Sequence, residues 1–485
     1  MNVDTLIVGA GFSGLGMAIK LRQAGMNSFL IIEKSEGIGG TWWENRYPGC
    51  ACDIPSHLYS FSFDLNPQWS RMFAGSKEIQ EYLEQCAQRY GIREKIRFKT
   101  RLQEAVWDEE GGLWHATTAD GTKIDARVIV SGMGALHVPH YPEIKNIDRF
   151  EGPAFHSATW DSTVDLKGKN IAVIGTGASA IQFVPQIAPL AGKLMLFQRT
   201  PPWIVPKLDH PIAERWQRRF HKIPGLMRLF RTLLFWGLEL RVLGFLRKGW
   251  LRAQGEKEAR KHLNAQVQDP ELRAKVTPSY EFGCKRVLIS NDFYPTLARP
   301  NVELVTEAIA EVRAHSIVTT DGIERPVDVL IYGTGFHVTD MLIGTRITGR
   351  NGVEIHEAWR ERASAFLGIT VAGFPNFFLL LGPNTGLGHN SVVLMIEAQV
   401  RYVMSCLRMM RRRGPVMDVR ETSQKQFVEK TRQRLANTVW QAGGCKSWYQ
   451  DKSGESPVVW PGSVVAYRRQ TRAASASDYQ FGKVP

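Results

Sequence analysis

A chain of 485 residues, 44% hydrophobic and 22% charged, has the make-up of a globular protein with room for two or three cores. Its six cysteines are too few for a disulfide scaffold, form no CxxC pair and have no His-rich companions, so no metal site is expected. The net charge of +14 admits nucleic acid, an anionic surface or phosphate-bearing ligands; but Lys and Arg are scattered, dense only at RMMRRR (408–413) and AYRRQTR (466–472), and no basic–aromatic nucleic-acid module is present.

The N-terminal run MNVDTLIVGAGFSGLGMAI is apolar enough to suggest a signal peptide, but it lacks a basic n-region and carries Asp4. The pattern predicts a buried strand over 5–8, the turn Gly9-Ala10-Gly11-Phe12-Ser13-Gly14, and a helix. Such glycines let backbone approach a pyrophosphate on a helix N-terminus. The next predicted strand, FLIIEK (29–34), carries Glu33 where an acid binds ribose hydroxyls. No run of 18 uncharged apolar residues predicts a spanning helix, and the expected location is cytoplasmic.

The stretch NRYPGCACD (45–53) poses a question: its CxC is a redox dithiol, half a metal site, or incidental to Asp53. Further on, ARVIVSGMGA (126–135) is a β-branched run ending in a glycine turn, a return into the first unit. RFEGPAFHSATWD (149–161) then sets Phe150, Gly152, His156, Trp160 and Asp161 on the spacing FxGxxxHxxxWD.

A second dinucleotide motif follows a predicted strand over 170–174: Gly175, Thr176, Gly177, Ala178, Ser179 and Ala180. Here position 199 stands to Gly175 as Glu33 stands to Gly9, and it holds Arg199. An acid repels a 2′-phosphate and an arginine pairs with it, so the first site suits FAD and the second NADPH.

Residues 206–275 carry leucines and aromatics at helical spacing, interrupted by basic residues. They predict either one or two helices capping the NADP domain or, over 223–252, a basic amphipathic face lying on a membrane. VDVLIYGTGF (327–336) predicts re-entry into the FAD domain near 325, and a long helix is expected over 391–413 after GPNTGLGHN (382–390). The expected architecture is α/β, with two Rossmann-like domains and a helical insertion. The FAD domain comprises 1–150 and 326–485, the NADP domain 151–205 and 276–325, and the insertion 206–275; AASASDYQFGKVP is expected to be a loose tail.

FxGxxxHxxxWD resembles the fingerprint of the Baeyer–Villiger monooxygenases, and GGTWWENRYPGCACD fits GxWxxxx[FY]PGxxxD through Gly40, Trp42, Tyr47, Pro48, Gly49 and Asp53. FGCKRVLISNDFYPTLARPNVELV (282–305) and FFLLLGPNTGLGHNS (377–391) extend the resemblance over nearly the whole chain, with Cys284 where many relatives carry threonine. The resemblance implies NADPH- and O2-dependent oxidation of a ketone to an ester or lactone through a C4a-peroxyflavin. It makes Arg286 the catalytic arginine and Asp53 its orienting carboxylate, with Cys50 and Cys52 bystanders. It brings Gly40, Thr41, Trp42, Cys52, Tyr59 and Val106 to the FAD, and Thr200 and Lys285 to the NADP phosphate beside Arg199. It treats the His156–Trp160 string as an interdomain linker rather than a general base. Oxygenation of sulfur or nitrogen, and an NADPH oxidase or reductase, are the alternatives.

Overall fold

Two sheets, one mixed and one parallel, each fed by one of the glycine motifs, organise the computed structural model, which describes residues 1–482. In the first, Asn2–Val8 is buried from Thr5 onward and pairs in parallel with Phe29–Ile32 on one side and Lys123–Ser131 on the other. Ile96–Arg97 and Phe377–Leu379 join in parallel, and the antiparallel strands Leu102–Asp108 and Leu113–Thr118 extend the sheet. Helix Phe12–Gln23 packs against helix Val392–Arg413 in one core that includes Leu15, Ile19, Ile396 and Val400. Ser391 caps the long helix by accepting from the Val393 amide, and Arg411–Arg413 complement its negative C-terminal end. That end accounts for the basic run at 408–413.

The second sheet runs Val302–Val305, Lys193–Phe197, Asn170–Ile174, Val329–Tyr332 and Ala154–His156, all parallel. Helices Ala180–Ile187 and Phe293–Leu297 cover one face of it. Val329–Tyr332 therefore belongs with the NADP motif rather than starting the return to the FAD domain at 326. The glycine contacts show why. A Cβ on Gly9 would lie 2.7 Å from the Gly132 carbonyl oxygen, and one on Gly175 2.5 Å from that of Gly333. Each motif needs its own downstream strand-and-glycine turn, 126–132 for the first and 329–333 for the second.

Residues between the sheets' segments form five helices: Glu214–Lys222, Leu226–Glu239, Val242–Leu246, Trp250–Gln266 and Pro270–Val276. The expected cap on the NADP domain is only part of their role. Helix Leu226–Glu239 is pinned to the other half of the molecule: Arg231 donates to the carbonyls of His57 (2.6 Å) and Ser60 (2.9 Å). Glu239 accepts from Asn390 Nδ2 (2.9 Å) and the Val465 amide (3.0 Å). The expected loose tail is likewise ordered through Gly482. Tyr479–Gly482 pairs antiparallel with Val416–Val419, and the fully buried Tyr479 hydrogen-bonds Tyr402 at 2.9 Å. Only its last three residues lie outside the described part.

Candidate active site

One continuous cavity of about 1410 Å³ runs between the two motifs. Of the residues expected to meet FAD, Gly9, Gly11, Ser13, Gly40, Thr41, Trp42, Cys52, Asp53 and Tyr59 line the cavity. The floor there is bare backbone, since a Cβ on Gly11 would fill the space toward Gly40 Cα at 3.6 Å. The helix that starts at Phe12 has no side-chain cap and no acid in its first turn, leaving its amides to an anion. Glu33 is buried and lines the cavity, its oxygens accepting from the Ala10 amide (2.7 Å) and the Ser35 amide (2.8 Å). An ionised carboxylate has further lone pairs for ribose hydroxyls. Gly14 does not line the cavity; a Cβ there would meet the Gly9 carbonyl oxygen at 1.8 Å, so its glycine serves helix–strand packing. These residues fit FAD.

At the other end, Gly175, Thr176, Gly177, Ala178, Ser179, Arg199, Thr200 and Lys285 line the cavity, with Ala180 buried behind them. A Cβ on Gly177 would meet nothing nearer than 3.9 Å, room for a phosphate. The Lys285 ammonium is held below its ordinary value, first by burial and then by the neighbouring Arg199 charge. Two cations that repel one another in a cavity wall form an anion site, and a 2′-phosphate relieves the repulsion. The donor set fits NADP.

Between the cradles, Arg286 Nε and Nη2 donate to the same oxygen of Asp53, Oδ2, at 2.8 and 2.5 Å. About a quarter of each side chain is exposed (25% and 28%), and both line the cavity. The Asp53 charge holds the guanidinium well above its ordinary value, outweighing burial. Nη1 makes one long bond, 3.4 Å to the Leu387 carbonyl in the GPNTGLGHN loop, and so keeps donor capacity for a ligand.

Asp53 is placed by Gln182, a residue of the second motif's helix. Gln182 Nε2 donates to the Ala51 carbonyl (2.9 Å), and its Oε1 accepts from the Tyr47 hydroxyl (3.0 Å). Gly49, at positive φ, is required by the same contact: a Cβ would lie 2.8 Å from the Gln182 carbonyl oxygen. Burial pushes the Cys50 thiol up to about 11 and Cys52 well above its ordinary value. Neutral, buried thiols are poor nucleophiles and redox centres, which leaves Asp53 as the charged group of that stretch at the cavity.

Other expected residues fall elsewhere. Val106 lies mid-strand, opposite His115, and does not line the cavity; Thr100, Arg101 and Leu102, where that strand begins, do. None of Phe150, Gly152, His156, Trp160 and Asp161 lines it either. Trp160 packs on Phe183 (ring centroids 5.3 Å apart), and Phe183 on Tyr47 (5.9 Å), an aromatic chain from the FxGxxxHxxxWD string to the Asp53 loop. His156 is fully buried, its Nδ1 accepting from the Ala158 amide at 3.1 Å, and burial depresses it to about 4. Such a histidine suits a linker.

Three features escaped the sequence. Gln182 is a neutral residue whose role exists only across the domain boundary. Tyr449, 2% exposed, stands beside Arg286; burial raises it against the pull of that charge. Cys284, two residues before Arg286, is bonded to Cys445, four before Tyr449. One such bond is no scaffold, but the cysteine count could not show that two residues 161 apart meet. The signal available was Cys284 standing where threonine was expected.

The family described as pyridine nucleotide-disulphide oxidoreductase matches residues 6–223. A protein of Pseudomonas aeruginosa named Baeyer-Villiger monooxygenase is 49% identical over 99% of this chain and 91% of its own. Cyclohexanone monooxygenase from Rhodococcus sp. Phi1, solved bound to NADP+, superposes with a TM-score of 0.89 over 100% of this chain and 99% of its own, at 28% identity. A structure of OTEMO in complex with FAD and NADP gives 0.87 over 99% of both chains, also at 28% identity.

Proposed function

The chain belongs to the Baeyer–Villiger monooxygenases and is an FAD- and NADPH-dependent enzyme, and from that premise we propose that Arg286, compensated by Asp53, is the group that drives oxygen insertion beside a ketone carbonyl. The carrying observation is the position of this ion pair, inside the cavity between the two glycine cradles.

Gly9, Gly11, Gly40 and Glu33 would hold the FAD, and Gly175, Gly177, Arg199, Thr200 and Lys285 the NADPH. Bound there, the two cofactors supply reducing equivalents and oxygen activation, which no side chain of the protein provides. Arg286 contributes a permanent charge and, at Nη1, donor capacity left over from its one long bond to the Leu387 carbonyl, which would meet the negative charge that builds on the carbonyl oxygen. Asp53 fixes the guanidinium plane and offsets the cost of holding a charge in a partly dry site. Gln182 ties the Asp53 loop to the NADP half, so the pair's position depends on both domains. Val338, Leu387, Trp448 and Val458 contribute apolar walls to the same cavity, which supports a ketone with apolar flanks as the substrate class.

The test is turnover of a ketone panel with NADPH and labelled dioxygen. Ester carrying one labelled oxygen per NADPH is expected. Consumption of NADPH with peroxide alone, or labelled sulfoxide from sulfides and no ester from any ketone, would overturn the proposal.

A further inference from the structure

We propose that the solvent face of the helical insertion docks the enzyme on the surface of an anionic phospholipid bilayer. On helix Leu226–Glu239 the buried side is Arg231, Leu238 and Glu239, held by the hydrogen bonds described above. The opposite side exposes Leu229, Leu233, Trp236 and Leu240, spaced four, three and four residues apart, a single stripe along the helix. Leu243 and Trp250 continue the apolar surface; Leu233 is 63% and Trp250 74% exposed. A monomer rarely leaves two tryptophans and four leucines of one short segment in water without a partner.

The charge around the stripe selects the partner. Arg218, Arg219, Lys222, Arg228, Arg247 and Lys248 are exposed in residues 214–252, against one exposed acid, Glu214. A second copy meeting this face about a two-fold axis would set like charges against like. An anionic lipid surface neutralises the basic residues and takes the leucines and tryptophans into its interfacial zone. No described helix is long and apolar enough to cross a membrane, so the contact lies in the plane of the bilayer. The anchoring to His57, Ser60, Asn390 and Val465 presents the stripe rigidly, so binding orders no chain. The insertion is also tied to the segment that leads to Arg286, where Arg252 and Lys248 bond Glu281 at 2.6 and 3.2 Å. This arrangement suits capture of an apolar ketone from the lipid phase, although the docking surface stands whatever the substrate is.

The test is co-sedimentation of FAD-loaded enzyme with phosphatidylcholine vesicles and with vesicles containing one part phosphatidylglycerol to three of phosphatidylcholine. Binding to the anionic vesicles alone, released by high salt, is expected. Leu233→Gln with Trp236→Ser should weaken it at least about tenfold, and Lys222→Gln about fivefold. Turnover of a water-soluble ketone should be unchanged in both, showing that the fold is intact. No binding to anionic vesicles at low salt, undiminished binding of the double variant, or a dimer in light scattering that the double variant splits would each overturn the proposal.

Discussion

Replacing Asp53 by alanine isolates what the carboxylate does for Arg286. The substitution removes two charge-assisted hydrogen bonds, of 2.8 and 2.5 Å, and leaves a guanidinium uncompensated in the cavity wall. Breaking a buried pair costs about 3–5 kcal/mol. With 25% and 28% of the two side chains exposed, the lower figure applies, because solvent screens part of the charge. If that cost falls on the reacting state, about 3 kcal/mol corresponds to a loss of roughly 100-fold in kcat/KM for ketone. Gly9, Gly11, Gly40 and Glu33, which would hold the FAD, are unchanged, so FAD content, read from the visible absorbance of purified protein, should stay near one per chain. Asp53→Asn keeps the shape but loses the charge, and should lie between the two. Ester formation by Asp53→Ala within about threefold of the parent enzyme, at normal FAD content, would refute the assignment.

Arg199→Ala should raise KM for NADPH by roughly ten- to a hundredfold, the worth of a charge-assisted phosphate contact, and leave KM for NADH unchanged. Equal effects on both would remove the 2′-phosphate reading. Loss of the Cys284–Cys445 bond, by Cys284→Ser with Cys445→Ser, should lower unfolding stability by about 2–4 kcal/mol and also reduce kcat, since the bond joins the segments that carry Arg286 and Tyr449. Denaturant melts and turnover of the same preparation check both, and unchanged kcat would make the bond purely structural. His57 and His156 are each depressed to about 4 by burial, from an ordinary value near 6.5. The unfolded chain therefore takes up protons first, so stability falls as pH drops from about 6.5 toward 4, by on the order of 3 kcal/mol per site. Urea midpoints at pH 7 and 5 should show the decline, and His57→Gln should make it shallower; equal midpoints would discount both histidines.

The sequence by itself determined what depends on local chemistry. Gly9, Gly11, Gly175 and Gly177 announce two phosphate cradles because bare backbone at a strand-to-helix turn has little other use. The contrast of Glu33 with Arg199 sorts the two ligands because a carboxylate and a guanidinium respond oppositely to a 2′-phosphate. The resemblance carried Asp53 and Arg286, 233 residues apart, into one site where they hydrogen-bond. Tertiary structure decided what depends on which strand lies beside which. Val329–Tyr332 looks from its apolar run like a strand of either sheet, and only its pairing with Asn170–Ile174 assigns it to the second. Gln182 and Tyr449 carry no signature because neutral side chains acquire a role only from what faces them. The stripe from Leu229 to Leu240 has the same spacing as a buried helix face, and hydrophobic period does not distinguish core from water. The anchoring of Arg231 and Glu239 turned that stripe outward, because two charged groups found partners inside and the leucines opposite them were left in solvent.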